Sequence, residues 1–355
     1  MIERELRQPN PFCNELPRLL LSSGFADDFG MSNSDKISRR QALGSSGLLV
    51  TAALGGAKIM AAESAGERSK GASKAGAPFV FCLNTSTLRG QKLGIVKEIE
   101  VAAEAGFQAV EPWVGTVEEY VKGGGSLKDL KKKIADLGLT VESAIGFPEW
   151  IVDDEARRAK GMEQANREMD LVAQIGGKRL AAPPAGATND PKLDLLKAAE
   201  RYRALLEAGD AIGVTPELEL WGFSKNLHLL SEVAYVAIQT GHPKACVLTD
   251  VFHLYKGGSD FRSIRLLSAQ AIQLVHLNDF PAEPAREKID DSYRVFPGDG
   301  VAPLTQFLQD LRSTGNGKVL SLELFNRKLW AQDALEVAKE GLAKMKAVVK
   351  TAVGS

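Results

Sequence analysis

The chain has 355 residues, 44% of them hydrophobic, enough to bury the core of one barrel of roughly 250 residues or of two smaller domains. Its formal net charge is −1, and no basic stripe runs through the body, which argues against binding to nucleic acid or another polyanion. The three cysteines, Cys13, Cys82 and Cys246, are widely spaced and odd in number, so no disulfide framework or Cys-x-x-Cys metal site is readable.

The first part of the chain carries the pattern of an export signal. A twin arginine, Arg39 and Arg40, precedes a modest apolar run that is rich in Gly and Ser and ends in small residues. This order resembles a bacterial twin-arginine signal, so residues 1–62 are predicted to be a leader and signal segment, disordered or helical. The alternative is an amphipathic or disordered tail. Residues 63–77 are polar and read as a linker, which leaves 78–355 as the folded body.

Such a signal implies both a partner and a location. It would direct the chain to the twin-arginine export machinery, which carries folded proteins and so allows a metal to be inserted in the cytoplasm. A cleaved product would be periplasmic, whereas an uncleaved leader would tether the protein to the membrane.

From residue 78 onward, strand and helix patterns alternate with short turns. Each of eight apolar, strand-like segments is followed by apolar residues at helical spacing. The segments are FVFCLNTSTL, FQAVEPWVG, LTVESAIGF, KRLAAPPAG, TPELELWGF, ACVLTDVFHLY, IQLVHLNDF and VLSLELFN. Eight such units predict an α/β fold, a closed (β/α)₈ TIM barrel rather than an open doubly wound sheet. No GxGxxG motif follows the first strand, which disfavours a dinucleotide-binding fold.

Each of the last four strand segments carries a carboxylate or a histidine. The four residues are Glu219, Asp250, His276 and Glu323. Burying an unpaired charge costs several kcal/mol, so four such residues toward the ends of successive strands favour a shared cation. Three carboxylates and an imidazole suit one divalent ion, Mn²⁺ or Mg²⁺ before Zn²⁺ or Co²⁺. The alternative is a row of hydrogen-bonded carboxylates in a metal-free barrel.

Further side chains are predicted around the same barrel mouth. Glu111 and Trp113 end the second strand and Phe147 follows the third, so all three are candidates to wall a substrate pocket. An aromatic side chain in such a place can also serve packing alone. Strand alternation puts Glu217 one layer below Glu219, which predicts a buried structural carboxylate.

Several short motifs carry a resemblance to a known family. LELWGF, LTDVFHLY, VHLNDFP and LSLELFN, with the PGDG turn at 297–300, resemble the xylose isomerase-like barrel superfamily over about residues 78–350. Within it they are similar to the sugar-phosphate isomerase/epimerase group, which includes tagatose 3-epimerase, hydroxypyruvate isomerase and inosose dehydratase. The resemblance implies that one metal ion is bound by Glu219, Asp250, His276 and Glu323, and that the two glutamates are also the catalytic acid/base pair.

The resemblance also implies contacts with the substrate. It assigns them to His253, three residues after the aspartate, to Arg294, just before the PGDG turn, and to Phe325, two residues after the last glutamate. The alternatives are a histidine that caps the sixth strand and an arginine exposed on a loop. Epimerase-like members carry an acidic residue six positions after the first glutamate, where this chain has Lys225. The departure disfavours a neutral ketose and favours an anionic substrate.

These patterns predict a metal-dependent isomerase or epimerase that transfers a proton next to a carbonyl of a sugar or sugar acid, through an enediolate. One alternative is a dehydratase, a lyase that acts on an inosose or keto-acid at the same metal site. Another is a non-catalytic carbohydrate-binding barrel. An endonuclease IV-like barrel is disfavoured because its multinuclear site needs extra histidines and the chain has four in all. A small carbohydrate is the expected ligand, and a homo-oligomer is left open.

Overall fold

A computed structural model of the chain describes residues 79–190 and 192–354, which lie within one compact unit, Gly66–Ser355. The predicted leader and signal, 1–62, and the predicted linker, 63–77, fall outside the described residues. Among the described residues, no helix combines the length and the apolar character that crossing a membrane requires.

Eight parallel strands form one curved sheet. They are β1 (Phe79–Asn84), β2 (Ala109–Glu111), β3 (Thr140–Val141), β4 (Arg179–Ala182), β5 (Thr215–Glu219), β6 (Val247–Asp250), β7 (Ile272–Leu277) and β8 (Lys318–Leu322), in the order β3-β2-β1-β8-β7-β6-β5-β4. Beyond β3, the N–H of Ala144 donates to the carbonyl of Arg179 (3.1 Å), and its carbonyl accepts from the N–H of Ala181 (2.9 Å). These bonds connect the two ends of the strand order, and the predicted TIM barrel is confirmed.

The helices follow the strands and pack against the outer face of the sheet. They are α1 (Ile95–Ala105), α2 (Val114–Lys122), α3 (Leu127–Asp136), α4 (Glu155–Gln174), α5 (Leu195–Ile212), α6 (Leu230–Gln239), α7 (Val251–Gly257), α8 (Leu304–Ser313), α9 (Arg327–Trp330) and α10 (Ala334–Val353). On α10, Ala338, Leu342 and Met345 are buried at helical spacing against the main core. A second, smaller cluster fills the barrel interior, with Ala109, Ala181, Leu248 and Leu274 among its members.

Two strands, β1 and β6, are shorter than the apolar segments that predicted them. After β1, the run continues as a 3₁₀ helix, Thr85–Gln91, because the side chain of Asn84 accepts from the N–H of Ser86 (2.9 Å). After β6, it continues as α7, because the Asp250 carboxylate accepts from the N–H of His253 (3.1 Å) and caps the helix. The prediction that the sixth strand extends through VFHLY is therefore wrong, and His253 lies on a helix.

Two buried glutamates on the outer helices should make the free energy of unfolding depend on pH. Glu98 on α1 and Glu168 on α4 are 4% and 6% exposed, and burial raises the pKa of each from 4.5 to about 7. Each is protonated in the folded chain at a pH where the unfolded chain has lost the proton. Each protonated carboxyl therefore adds at most about 3 kcal/mol to the free energy of unfolding. This contribution is fully present below about pH 4.5 and is lost as the pH rises to about 7.

The substitution Glu168→Gln tests this pH dependence. It should make the free energy of unfolding fall less steeply between about pH 5 and pH 7.5, because one titrating carboxyl is removed. Urea denaturation in EDTA at several pH values measures the slope. An unchanged slope would show that Glu168 is ionised in the folded protein.

Candidate metal centre

The four predicted metal ligands meet at the C-terminal end of the barrel. Glu219 ends β5, Asp250 ends β6, His276 lies on β7 and Glu323 follows β8, and all four are buried. His276 Nδ1 lies 3.0 Å from Glu323 Oε2, 3.6 Å from Asp250 Oδ2 and 3.9 Å from Glu219 Oε1. Asp250, His276 and Glu323 each place one ligand atom within 4.8 Å of the others. The separations within this triad suit ligands that share one ion, at bond lengths of about 2.0–2.2 Å, whereas Glu219 lies beside the triad and is not part of it.

The chemistry of the cluster fits a divalent cation. His276 Nδ1 is buried and has no hydrogen-bond partner among the described residues, although carboxylate oxygens surround it. Burial raises the pKa of Glu219 to about 8, with the charges of Glu323 and Asp250 adding to the rise and His276 opposing it. A bound cation would relieve the repulsion among the three carboxylates and give the imidazole nitrogen a partner.

The other nitrogen of His276 is held by Glu111, at the end of β2. Glu111 Oε2 lies 3.1 Å from His276 Nε2 and accepts hydrogen bonds from Ser321 Oγ (2.6 Å) and Asn84 Nδ2 (2.9 Å). Metal-ligating histidines usually donate their second N–H to such a carboxylate, which fixes the ring and its tautomer. The contact therefore directs Nδ1 toward the three carboxylates. Glu111 is fully buried, and the substrate contact foreseen for it stays a prediction.

The role of Glu111 gives a testable prediction about metal affinity. Glu111→Gln should weaken binding of Mn²⁺ by about 10- to 100-fold, because a neutral amide holds the imidazole less well. Isothermal titration of the metal-free protein measures the affinity. Glu168→Gln, a buried glutamate on an outer helix, is the matched control and should bind as tightly as the wild type. Unaltered affinity in Glu111→Gln would remove this role.

Arg294 is buried within the centre rather than exposed on a loop. Its Nη1 donates to Asp250 Oδ2 (2.7 Å) and Glu323 Oε2 (2.8 Å), and its Nε donates to Asp291 Oδ1 (3.0 Å). Burial opposes ionisation of Asp250, but Arg294 and the two histidines outweigh it and hold the pKa of that carboxyl below its ordinary range. The alternative of an exposed loop cation is therefore wrong, while contact of Arg294 with a substrate stays a prediction.

His253 presents a free nitrogen beside the same cluster. Its Nε2 lies 3.1 Å from Arg294 Nη2, whereas its Nδ1 is buried and has no hydrogen-bond partner in the part of the chain that the structure describes. Burial lowers the pKa of His253, which leaves the imidazole neutral at neutral pH. A neutral ring with such a nitrogen suits a substrate hydroxyl, and contact of His253 with a substrate stays a prediction.

An arc of aromatic rings borders the centre, here called the aromatic arc. Neighbouring ring centroids are 5.1–6.1 Å apart along Phe325, Trp113, Phe147, Trp221 and Phe223. Phe223 and Phe147 are 45% and 38% exposed, so part of the arc faces solvent. The loop of Trp221 and Phe223 packs so tightly that a Cβ on Gly222 would lie 2.4 Å from the carbonyl of His253. An apolar wall beside a polar centre is typical of small-molecule sites.

Lys225, predicted to contact an anionic substrate, lies on the loop after β5. Its backbone N–H donates to the carbonyl of Thr188 (2.8 Å), and its side chain is exposed. Within the described part of the chain, no hydrogen bond or ion pair connects its ammonium to the metal centre. The structure therefore does not join Lys225 to the other predicted site residues.

Two asparagines that are not among the predicted site residues hold the carboxylates. Asn84 Nδ2 donates to Glu323 Oε1 (3.1 Å), and Asn278 Nδ2 donates to both oxygens of Asp250 (3.1 and 3.2 Å). Both residues lie at the C-terminal ends of strands, where the four ligands were found. A search of the strand ends for neutral polar residues, as well as for carboxylates and histidines, would have found both amides.

The opposite end of the barrel holds a cavity of about 690 Å³. Lys178 and Arg179 line it, and both form ion pairs there with Glu142, at 2.7 and 3.3 Å. Lys318 donates to the carbonyls of Ala269 and Ile272. Because these charged groups are paired within the protein, we place the chemistry at the C-terminal end, as in other TIM barrels.

Comparisons with known proteins agree with this architecture. A 3-dehydroshikimate dehydratase of Pseudomonas putida is 26% identical over 254 residues, which cover 70% of this chain and 39% of that protein. The inosose isomerase of Bacillus velezensis is 24% identical over 267 residues, 73% of this chain and 94% of that protein. A solved structure described as an IolI protein with a binding zinc atom superposes with a TM-score of 0.70 at 19% identity, covering 78% and 100% of the two chains.

This chain spans about two fifths of the length of the dehydratase. The family model described as Xylose isomerase-like TIM barrel matches residues 99–348, which is most of the chain. The protein is thus a member of the xylose isomerase-like TIM barrel family.

Proposed function

We propose that the protein is a divalent-metal-dependent isomerase or epimerase that transfers a proton next to a carbonyl of a sugar or sugar acid. The observation that carries the proposal is the convergence of three buried carboxylates, at 3.0–3.9 Å, on His276 Nδ1 at the barrel mouth. The relatives are enzymes of compatible kinds, an inosose isomerase and a 3-dehydroshikimate dehydratase.

One ion would be held by Glu219, Asp250, His276 and Glu323. The donor set of three carboxylates and one imidazole favours Mn²⁺ or Mg²⁺. Because the similar IolI structure is described with a zinc atom, Zn²⁺ should be tested alongside Mn²⁺ and Mg²⁺, as should Co²⁺. When bound, the ion would supply Lewis-acid stabilisation of the negative charge that develops next to the carbonyl.

The chain's own residues would move the proton. Glu219 ends β5 and Glu323 follows β8, and two strands separate β5 from β8, so the carboxylates approach the centre from different sides. One would remove the proton and the other would return it, each contributing roughly 10²–10⁴-fold to the rate. Asn84 orients Glu323 through its hydrogen bond, and His253 offers its free Nδ1 to a substrate hydroxyl.

A dehydratase is the second candidate. It needs the same removal of a proton next to a carbonyl, followed by loss of a β-hydroxyl, so the same glutamates would serve. Similarity to the Pseudomonas putida dehydratase over 70% of this chain supports this candidate. A carbohydrate-binding barrel without activity is a third, which exchange of substrate protons would exclude.

Proton exchange tests the proposal before the product is known. The metal-loaded protein is incubated in D₂O with ketoses, inososes and keto-acids, and deuterium next to the carbonyl is followed by NMR. We expect incorporation with at least one compound, and its loss in Glu219→Gln. Glu168→Gln is the matched control and should retain exchange. Binding without exchange across the whole panel would favour the non-catalytic barrel.

We further propose that the protein is exported to the periplasm by the twin-arginine machinery. The support is the order of Arg39, Arg40 and the small-residue apolar run, all of which lie outside the described residues. Replacing both arginines by lysine should leave the full-length precursor in the cytoplasm, as measured by cell fractionation. Unchanged export would show that these residues do not form the signal.

A further inference from the structure

A long loop after β7 carries Arg294 into the metal centre. It connects Leu277, the last residue of β7, with Leu304, the first residue of α8. The guanidinium of Arg294 lies within hydrogen-bonding distance of four side chains of the centre, namely Asp250, His253, Asp291 and Glu323. A planar group with this many partners must be placed accurately, and the backbone of the loop decides where it lies.

The start of the loop holds the segment that follows Arg294. The N–H of Asp279 donates to the carbonyl of Val295 (3.0 Å), and the N–H of Val295 donates to the carbonyl of Asp279 (2.9 Å). This antiparallel pair ties the residue after Arg294 to the chain just beyond β7. The arginine is therefore fixed through its neighbour as well as through the contacts of its own side chain.

The Asp279 carboxylate folds the next turn back onto the same point. Its Oδ2 accepts from the N–H groups of Gly298 (3.0 Å) and Gly300 (3.1 Å). Its Oδ1 accepts from the N–H groups of Phe280 (2.8 Å) and Ala302 (2.9 Å). Two carboxylate oxygens offer about four acceptor positions, so these bonds use the full capacity of the group. A Cβ on Gly300 would lie 2.3 Å from Oδ1, so the turn packs directly against this carboxylate.

Asn326 holds the loop from the other side. Its Nδ2 donates to the carbonyl of Arg294 (3.0 Å), and its Oδ1 accepts from the N–H of Lys328 (2.9 Å) at the start of α9. Asn326 lies in the segment after β8, close behind Glu323. The backbone at Arg294 is thus fixed between the ends of β7 and β8, the strands that supply His276 and Glu323.

We propose that Asp279 and Asn326 are positioning residues, which place Arg294 against the carboxylates of the metal centre. The four hydrogen bonds of the Asp279 carboxylate go to backbone N–H groups of the loop, so its effect on the chemistry passes through the loop to Arg294. The inference rests on the proposed function. It adds that the rate of proton transfer depends on two side chains that act through the arginine.

A double-substitution experiment tests whether Asp279 acts through Arg294. In the full-length, metal-loaded protein, Asp279→Asn should slow deuterium incorporation by about 10- to 100-fold, because an amide N–H₂ replaces an acceptor oxygen and the arginine shifts. In the Arg294→Met background the same change should slow exchange by less than about threefold, since the group that it positions is gone. An equal loss in both backgrounds would overturn the inference.

Two further variants extend the test in case Asp279→Asn folds poorly. Asn326→Asp keeps the acceptor that caps α9 and loses the donor to Arg294, so it should show the same dependence on Arg294. Asp299→Asn is the matched control, because Asp299 lies in the same turn but pairs with Lys344 on the surface. It should exchange protons as fast as the wild type. If Asn326→Asp exchanged equally fast, its positioning role would be rejected.

An NMR measurement separates this inference from the proposed function. In metal-free protein labelled with ¹⁵N-arginine, the Nε–H signal that is missing from Arg294→Met identifies Arg294, whose Nε donates to Asp291 Oδ1 (3.0 Å). Exchange of this N–H with solvent should be at least about tenfold faster in Asp279→Asn, because the loop opens more often. The Nε–H of Arg179, at the opposite end of the barrel, should not change. An unaltered Arg294 signal would overturn the positioning role, whereas failure of the wild type to exchange substrate protons in any compound would overturn the proposed function.

Discussion

Glu323→Gln should reduce kcat by at least about 10³-fold in protein saturated with metal. The substitution removes the proposed general acid/base, a role worth about 10²–10⁴-fold, and also one anionic group of the proposed metal site. It leaves an amide opposite Arg294 Nη1, which now donates to Glu323 Oε2 at 2.8 Å, so the ligand geometry is also disturbed. Steady-state rates at several Mn²⁺ concentrations separate loss of chemistry from loss of metal.

The matched control is Glu142→Gln, a glutamate at the opposite end of the barrel. Glu142 pairs with Lys178 and Arg179 and lies away from the four ligands along the barrel. Its substitution should leave kcat within a few-fold of the wild type. If Glu323→Gln kept more than a tenth of wild-type kcat at saturating metal, Glu323 would not transfer the proton.

Arg294→Met should destabilise the metal-free protein by about 3–5 kcal/mol. Arg294 is 1% exposed and pairs with three carboxylates, so its removal leaves buried negative charges without a partner. Adding Mn²⁺ should restore much of the loss, because a cation at the centre would neutralise Asp250 and Glu323. Urea denaturation with EDTA and with Mn²⁺ measures both effects.

An exposed arginine provides the comparison for Arg294. Arg203 pairs with Glu207 at 2.9 Å on the surface of α5, where both side chains are more than half exposed. Arg203→Met should change the free energy of unfolding by less than about 1 kcal/mol and should not respond to metal. A similarly small effect of Arg294→Met would show that the carboxylates around it do not require its charge.

Much of the fold follows from short-range patterns. Alternation of apolar strands with helical spacing is local, and it located all eight strands. The meeting of the four predicted ligands could also be foreseen, because the C-terminal ends of parallel strands converge in a closed barrel. Glu219 and Glu323 come together although a hundred residues separate them, since the strand order brings β5 and β8 to one mouth.

What the sequence did not reveal depends on contacts between distant side chains. The role of Glu111 appears only when His276, 165 positions away, is found against it. Arg294 lies in a loop by sequence pattern, yet its charge is enclosed by carboxylates from β6 and β8. The helical continuation after Asp250 was missed because its apolar residues also suit a strand, and one capping hydrogen bond decides between the two.

Crystals grown with Mn²⁺, with diffraction data collected at the manganese absorption edge, test the central claim most directly. We expect one anomalous peak per chain, bonded at about 2.0–2.3 Å to Glu219, Asp250, Glu323 and His276 Nδ1, with Glu111 still against Nε2. A peak bound elsewhere, or a structure at saturating Mn²⁺ in which these four side chains share no ion, would contradict the account.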